Sequence, residues 1–249
     1  MTESITAAML VIGDEILSGR TQDTNLNYIA KFLGTLGIDM REARVVPDVE
    51  KEIVDAVNAL RARYTYVFTT GGIGPTHDDI TADAIARAFG VGIDYHPEAL
   101  ALLSARYQPG EFNEMRMRMA RVPLGATLIK NSASTAPGFQ IGNVFVMAGV
   151  PMVMRAMMED VAPRLRRGTL VVTATISARI GEGRIAGPLA KIQSEYGSVV
   201  IGSYPFYTPD GYGVQLVVRG RDAGLVEAAA VAIESAIAAE GTSAERIFS

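Results

Sequence analysis

Three times within the first 90 residues a short apolar run is followed by a helical pattern. Residues 7–12, Ala-Ala-Met-Leu-Val-Ile, form an unbroken apolar stretch that ends at Gly13. A run this short and this apolar predicts a strand buried on both faces. Leu26, Ile29, Leu33 and Leu36 then recur at spacings of three and four and stop at Gly37, as the core face of a helix would. Residues 41–46 and 65–70 predict the second and third strands. Asp48 follows the second strand at the position of a helix N-cap, ahead of Ile53, Val57 and Leu60 on one face. A helix over about 80–89, closed by Gly90, follows the third. Strands alternating with amphipathic helices predict an α/β fold, in which right-handed crossovers cover both faces of a mostly parallel sheet. Ligands of such sheets bind at the carboxyl ends of the strands, where the strand order reverses. With an order of 2-1-3, the loops after strands one and three meet there.

The remainder of the chain is less regular. Residues 97–121 predict a helix in which Met115, Met117 and Met119 alternate with Arg116, Arg118 and Arg121, a packing segment with a solvated face. Strands are expected over 126–131 and 139–147, the second folded at Gly142-Asn143, then a helix over 152–166. The pattern restarts after the basic stretch 164–168: a strand over 169–178, a helix over 184–196, a strand over 198–203, a turn at Pro209-Asp210-Gly211, a strand over 213–219 and a helix over 223–239. We therefore expect two domains, 1–168 and 169–249, the second a small α+β unit.

Composition removes several classes of function. The chain has 249 residues and no cysteine, which excludes disulfides, thiol nucleophiles and Cys-ligated metal centres. A formal net charge of −4 gives no basic surface for nucleic acid. Met1–Thr6 has no basic segment before an apolar run, and no stretch has the length and apolarity of a membrane span, so a cytoplasmic protein is expected.

Two loops carry the chemistry. Gly71-Gly72-Ile73-Gly74-Pro75-Thr76-His77-Asp78-Asp79-Ile80-Thr81 follows the third strand. Its glycines allow a tight turn and close backbone approach, and its N–H groups can hold a phosphate beside the next helix. No Gly-Lys-Ser/Thr follows, so it is not a Walker loop, and the glycine spacing is not that of the dinucleotide fingerprint. A plain strand–turn–helix connection would need one acid as a cap. Two adjacent acids beside a phosphate cradle call for a divalent cation or a donor from a substrate. The second loop, Gly13-Asp14-Glu15-Ile16-Leu17-Ser18-Gly19, puts two more acids at the same end of the sheet, and Asp48 is a third contribution there. We therefore expect Asp14, Asp78 and Asp79 to place a divalent ion (magnesium, manganese or cobalt) and Asp48 to orient water, with Asp14 and Asp79 facing one crevice. His77 and His96 form no metal-ligand pattern, and no Ser-His-Asp arrangement is present.

These residues resemble a known family. Gly13-Asp14-Glu15 with Gly19 and Asn25, Val46-Pro47-Asp48, the whole Gly71–Thr81 loop, Asn131 through Gly138 and Gly149-Val150-Pro151 resemble the molybdopterin-binding (MoCF-biosynthesis) domain family, most of all its CinA-type and FAD-synthase-type members. The resemblance covers about residues 5–160 and extends weakly to Ile201–Pro205. It implies a three-layer α/β/α domain that binds molybdopterin or a nucleotide and tends to form homo-oligomers. The acids of the family's site fall on Asp48 and Asp79. Ligand contacts fall on Gly13, Gly71, Gly72, Gly74, Pro75, Thr76, Thr81, Asn131, Ser134, Thr135, Pro137 and Gly138. The CinA and FAD synthase types imply cleavage of a nucleotide pyrophosphate such as ADP-ribose or FAD, and the alternative is a non-catalytic binding module tied to molybdenum cofactor synthesis. The chain departs from the pattern at Ala148, where the family has proline, at Ser134, where it has glycine, and at Val153, where it has glutamate.

Overall fold

A computed structural model describes residues 4–108, 111–209 and 211–247. The chain divides into two compact units, Met1–Gly168 and Thr169–Ser249. In the first, the elements run β1 (Thr6–Ile12), α1 (Asp14–Leu17), α2 (Asn25–Thr35), β2 (Asp39–Val46), α3 (Glu50–Arg63), β3 (Tyr66–Thr70), α4 (Thr81–Phe89), β4 (Ile93–Tyr95), α5 (Pro97–Ser104), α6 (Glu114–Met117), β5 (Arg121–Pro123), β6 (Thr127–Ile129), β7 (Gly138–Ile141), β8 (Val144–Met147) and α7 (Pro151–Val161).

The main sheet has the order β2-β1-β3-β8-β7-β6. Strands β2, β1, β3 and β8 are parallel, and β7 and β6 extend the sheet antiparallel through the hairpin at Gly142. β1 explains why both faces need cover. Its alternate residues Ala8, Leu10 and Ile12 pack with Ile53, Val57 and Leu60 of α3 and Ile85 of α4. Ala7, Met9 and Val11 pack on the opposite face with Ile29 and Leu33 of α2 and Met154 and Met157 of α7. The result is the expected α/β/α sandwich. Because α2 leaves β1 on one face and α3 returns to β3 on the other, the crevice opens between β1 and β3.

Several local expectations change. Asp48 does not cap α3. Val49 occupies the cap position, one residue later, with no side-chain capping bond, so the Asp48 carboxylate lies too early in the chain to reach the first-turn amides. It accepts the backbone N–H of Asp14 instead, at 3.0 Å. The long helix expected over 97–121 is two: α5 stops at Ser104, and α6 begins afresh where the Asn113 side chain accepts the Arg116 N–H. A single-turn 3-10 helix, Arg118–Ala120, completes that segment. Pro109 and Gly110, two poor helix formers, lie between the pieces and outside the described residues, as does Asp210 of the turn expected at 209–211. Strands β4 and β5 pair in a small sheet of their own.

The second unit contains β9 (Val172–Ala178), α8 (Glu182–Glu195), β10 (Val200–Thr208), β11 (Gly211–Gly220), α9 (Ala223–Ala239) and β12 (Ala244–Ile247). Its antiparallel sheet has the order β10-β11-β9-β12, with both helices packed into one core around Ile176, Leu216, Ile185 and Ile233. The last strand was not expected. No helix among the described residues is long and apolar enough to cross a membrane.

Candidate functional site

The loops after β1, β2, β3 and β8 converge at one end of the sheet. Gly13 donates its N–H to Val46 O at 3.1 Å, which joins the ends of β1 and β2. Asp14 N to Asp48 then fastens the two loops beyond that point. Gly71 donates to Met147 O at 3.2 Å, and Thr81 N to Gly72 O at 3.0 Å. Two positions here exclude any side chain. Gly71 has φ +106°, and a β-carbon would strike the carbonyl of Ile12; Gly72 has φ +66°, and a β-carbon would strike the Thr81 hydroxyl. That same β-carbon would stand 3.6 Å from Asp48 Oδ1, so the Asp48 carboxylate lies directly beside the turn at Gly72.

The turn leaves donors unsatisfied. Among the described residues, the N–H groups of Gly72, Ile73 and Gly74 have no acceptor. Consecutive free amides in a turn with left-handed glycine form an anion-binding concavity. Thr81 supports this turn from beneath: it is fully buried and donates its hydroxyl to Gly71 O at 2.9 Å. It braces the loop, with its hydroxyl hydrogen engaged by Gly71 O. Pro75 contributes no N–H.

The acids gather unevenly. Burial pushes the Asp48 carboxyl above its ordinary range; the Asp14 N–H opposes this, and the charges of Asp14, Glu15 and Asp78 push it further up. Asp78 is held low, first by the Thr76 hydroxyl, then by its own N–H and by His77. Asp79 belongs to a different neighbourhood. Its Oδ2 accepts the Thr76 N–H at 2.8 Å and the Thr76 hydroxyl, and it packs against Gly74, where a β-carbon would come within 2.6 Å. The Thr76 hydroxyl reaches both carboxylates and can serve one at a time. Asp79 also lines a cavity of about 20 Å³ with Gly72, Gly74, Arg118 and Pro137, room for about one water. The charges acting on Asp48 are those of Asp14, Glu15 and Asp78, and Asp79 sits by Gly72 and Gly74 at the adjoining cavity. Among the described residues, no three Asp, Glu or His side chains are close enough to form a metal site by themselves.

The loop 131–138 closes the far side. Asn131 braces it, donating to Ala136 O at 2.7 Å and accepting the N–H groups of Ala133 and Ser134. Thr135 adopts φ +62°, unusual for a residue with a branched side chain. Its hydroxyl turns back to Ser134 O, and Arg106 donates to the same carbonyl. Gly138 lets β7 approach Val146 O. Of this loop, Pro137 is the member that lines the cavity. Val153, at the family's glutamate position, lies in the first turn of α7 and is buried in the core.

Sequence reasoning missed two groups of residues. Arg118 of the 3-10 segment and Arg121 at the start of β5 line the cavity beside the glycine turn, with Arg121 paired to Asp83 at 2.6 Å and 3.1 Å. A continuous helix would have put them on a solvated face, so no local signal marked them. Asn25, Thr70 and Glu15 line a second pocket, of about 60 Å³; Asn25 and Glu15 were read only as parts of motifs.

The fold and this end of the sheet define an α/β/α domain with an anion cradle and clustered carboxylates at its switch point. The family described as "Probable molybdopterin binding domain" matches residues 8–167, and the chain belongs to that family. Residues 170–245 match the family described as "FAD synthase, middle domain". A protein of Thermococcus kodakarensis is 33% identical over 246 residues, covering 92% of this chain and 96% of that one. A CinA-like protein of Geobacter sp. (strain M21) is 42% identical over 166 residues, covering 64% of this chain and 40% of that one. The crystal structure of the CinA protein from Thermoplasma acidophilum, described as of unknown function, is 32% identical with a TM-score of 0.61 and covers 65% of this chain and 98% of that one. The matches span 40% to 65% of the length of several other curated relatives, the CinA-like proteins among them.

Proposed function

We propose that the crevice binds the diphosphate of a nucleotide or pterin and, with a divalent cation, hydrolyses a nucleotide pyrophosphate of the ADP-ribose or FAD type. One observation carries the reading: three adjacent amides without acceptors lie beside the half-buried Asp48, which feels the charges of Asp14, Glu15 and Asp78. The amides of Gly72, Ile73 and Gly74 would hold the diphosphate, with Arg118 opposite them.

The acids fit a cation of the magnesium type. Such ions are commonly held by one or two carboxylates plus substrate phosphates, without a complete protein cage. Asp14, Asp48 and Asp78 would supply those carboxylates, and a cation would relieve both the burial that raises Asp48 and the smaller repulsion from its acidic neighbours. Asp79 retains Oδ1 for the same purpose while its Oδ2 braces Thr76. When bound, the cation polarises the phosphoryl oxygens and acidifies water. Asp48, with one oxygen engaged by Asp14 N, would orient the attacking water with the other. The FAD synthase match over 170–245 supports a dinucleotide pyrophosphate as the substrate class.

A second reading, a molybdopterin or nucleotide binding module without chemistry, is favoured by Val153. The acid usual at that position is replaced by an apolar side chain in the core. Phosphate-coupled assays with magnesium, manganese or cobalt separate the two. Turnover of ADP-ribose or FAD above blank, lost in Asp48→Asn, supports hydrolysis. Tight binding by calorimetry with no product selects the binding module.

A further inference from the structure

In the second unit β10 is an edge strand, paired with β11 on one side only. Gln193 of α8 covers the start of that edge: its amide nitrogen donates to Val199 O at 2.8 Å, and its oxygen accepts the Ile201 N–H at 2.8 Å. The side chain stands where the peptide group of a neighbouring strand would. Residues of an antiparallel pair turn both main-chain groups alternately toward and away from the partner strand. Ile201 turns away from β11, so Ser203 and Tyr207 do as well, and Pro205 points its carbonyl the same way. Among the described residues, no group outside the β10–β11 pair bonds the Ser203 N–H or carbonyl. This rung does not lie on a flat, open edge. Ile201 and Ser203 form one wall of a cleft of about 520 Å³, and Gly183, Ala186 and Ala190 of α8 form the other, with Leu189 between them. The volume is that of a ligand cleft, and the helix wall has no side chain long enough to fill it.

We infer that the cleft between α8 and β10 takes an extended segment of a partner protein, added to the edge of this sheet as a further strand. Main-chain bonds to an exposed edge give such binding its strength, and a groove for alternate side chains gives it selectivity. The Ser203 N–H and carbonyl, the Pro205 carbonyl and both groups of Tyr207 are the rungs on offer. Leu189 and Ile201 suit an apolar side chain of the segment. The one charged side chain lining the cleft is Glu182, which is exposed and has no ion-pair or hydrogen-bond partner among the described residues. Charge complementarity therefore asks for Lys or Arg at that end of the segment. With an acid and no cation in the lining, the cleft repels a nucleic-acid backbone. A second copy of β10 fits poorly. Paired antiparallel about Ser203, it would set Ile201, whose N–H Gln193 holds, against Pro205, which has no N–H.

Selection of phage-displayed random decapeptides on the full chain, followed by calorimetry with the enriched peptides, tests this. Enrichment is expected for sequences that alternate apolar residues and carry Lys or Arg toward one end. Ser203→Pro removes one outward N–H, a change that edge strands tolerate. It is expected to weaken the enriched peptides about tenfold, the loss of one hydrogen bond. Ala186→Trp fills the cleft from an exposed position on α8. It is expected to abolish binding, and it serves if Ser203→Pro fails to fold. Bound peptide should also protect the Ser203 N–H from hydrogen exchange. No enrichment over the Ala186→Trp variant would overturn the proposal, as would peptides that both variants bind as tightly as the parent. A labelled single-stranded oligonucleotide held by the parent and lost in Ala186→Trp would overturn it as well. So would a dimer, seen by light scattering, that Ser203→Pro dissociates.

Discussion

Gly72 holds a left-handed turn in which a β-carbon would meet Thr81 first and Asp48 next. Gly72→Ala is therefore expected to lose about 1–2 kcal/mol from the left-handed backbone alone, with the Thr81 clash added, as measured by urea denaturation. Asp48 gives a pH signature. Its folded carboxyl titrates above its ordinary value of 3.8, so over the interval between the two values the folded state binds more protons than the unfolded one. Its contribution is fully present below the unfolded value and lost as pH rises through the folded one. Asp48→Asn keeps an acceptor for Asp14 N and drops the charge. Its Tm should exceed that of the parent at pH 7, and the difference should vanish below about pH 4, near the unfolded carboxylate value. An equal or lower Tm at pH 7 would contradict the raised Asp48 carboxyl. At this scale the glycine turn and Asp48 were legible, because short-range glycine and acid patterns encode them. Arg118 and Thr70 were not, because only long-range packing gives them neighbours.

The crevice depends on the sheet that carries its loops. Phe68 of β3 and Phe145 of β8 stack at 5.2 Å, both fully buried, below the point where Gly71 N meets Met147 O. Phe145→Ala is expected to cost about 3–5 kcal/mol in guanidinium unfolding, and to loosen β8 against β3, read as faster amide exchange at Gly71. The long elements were legible because a period of 3.6 or an apolar run repeats locally. β4, β5 and β12 were not: three or four residues carry no period, and their pairing is set by partners far along the chain. The break between α5 and α6 was marked by Pro109-Gly110, two poor helix formers, but one helix was expected to run through them.

The molecule has two separately cored units, each with its own sheet. Ile233→Ala, in the core of the second, is expected to destabilise that unit by about 2–5 kcal/mol. Hydrogen exchange should show the loss across 169–249, with nucleotide affinity at the first unit's crevice unchanged. The α/β class and the switch-point crevice followed from the order of strands and helices. Which ends of strands face one another followed only from the parallel pairing of β2, β1 and β3. The central claim is that the free amides after β3 grip a phosphate beside Asp48. Amide-resolved NMR of the labelled protein, titrated with ADP and magnesium, tests it most directly. The account predicts downfield shifts of the Gly72, Ile73 and Gly74 N–H signals, with the Asp14 N–H moving in the same titration. Binding that leaves those four amides unmoved would contradict it.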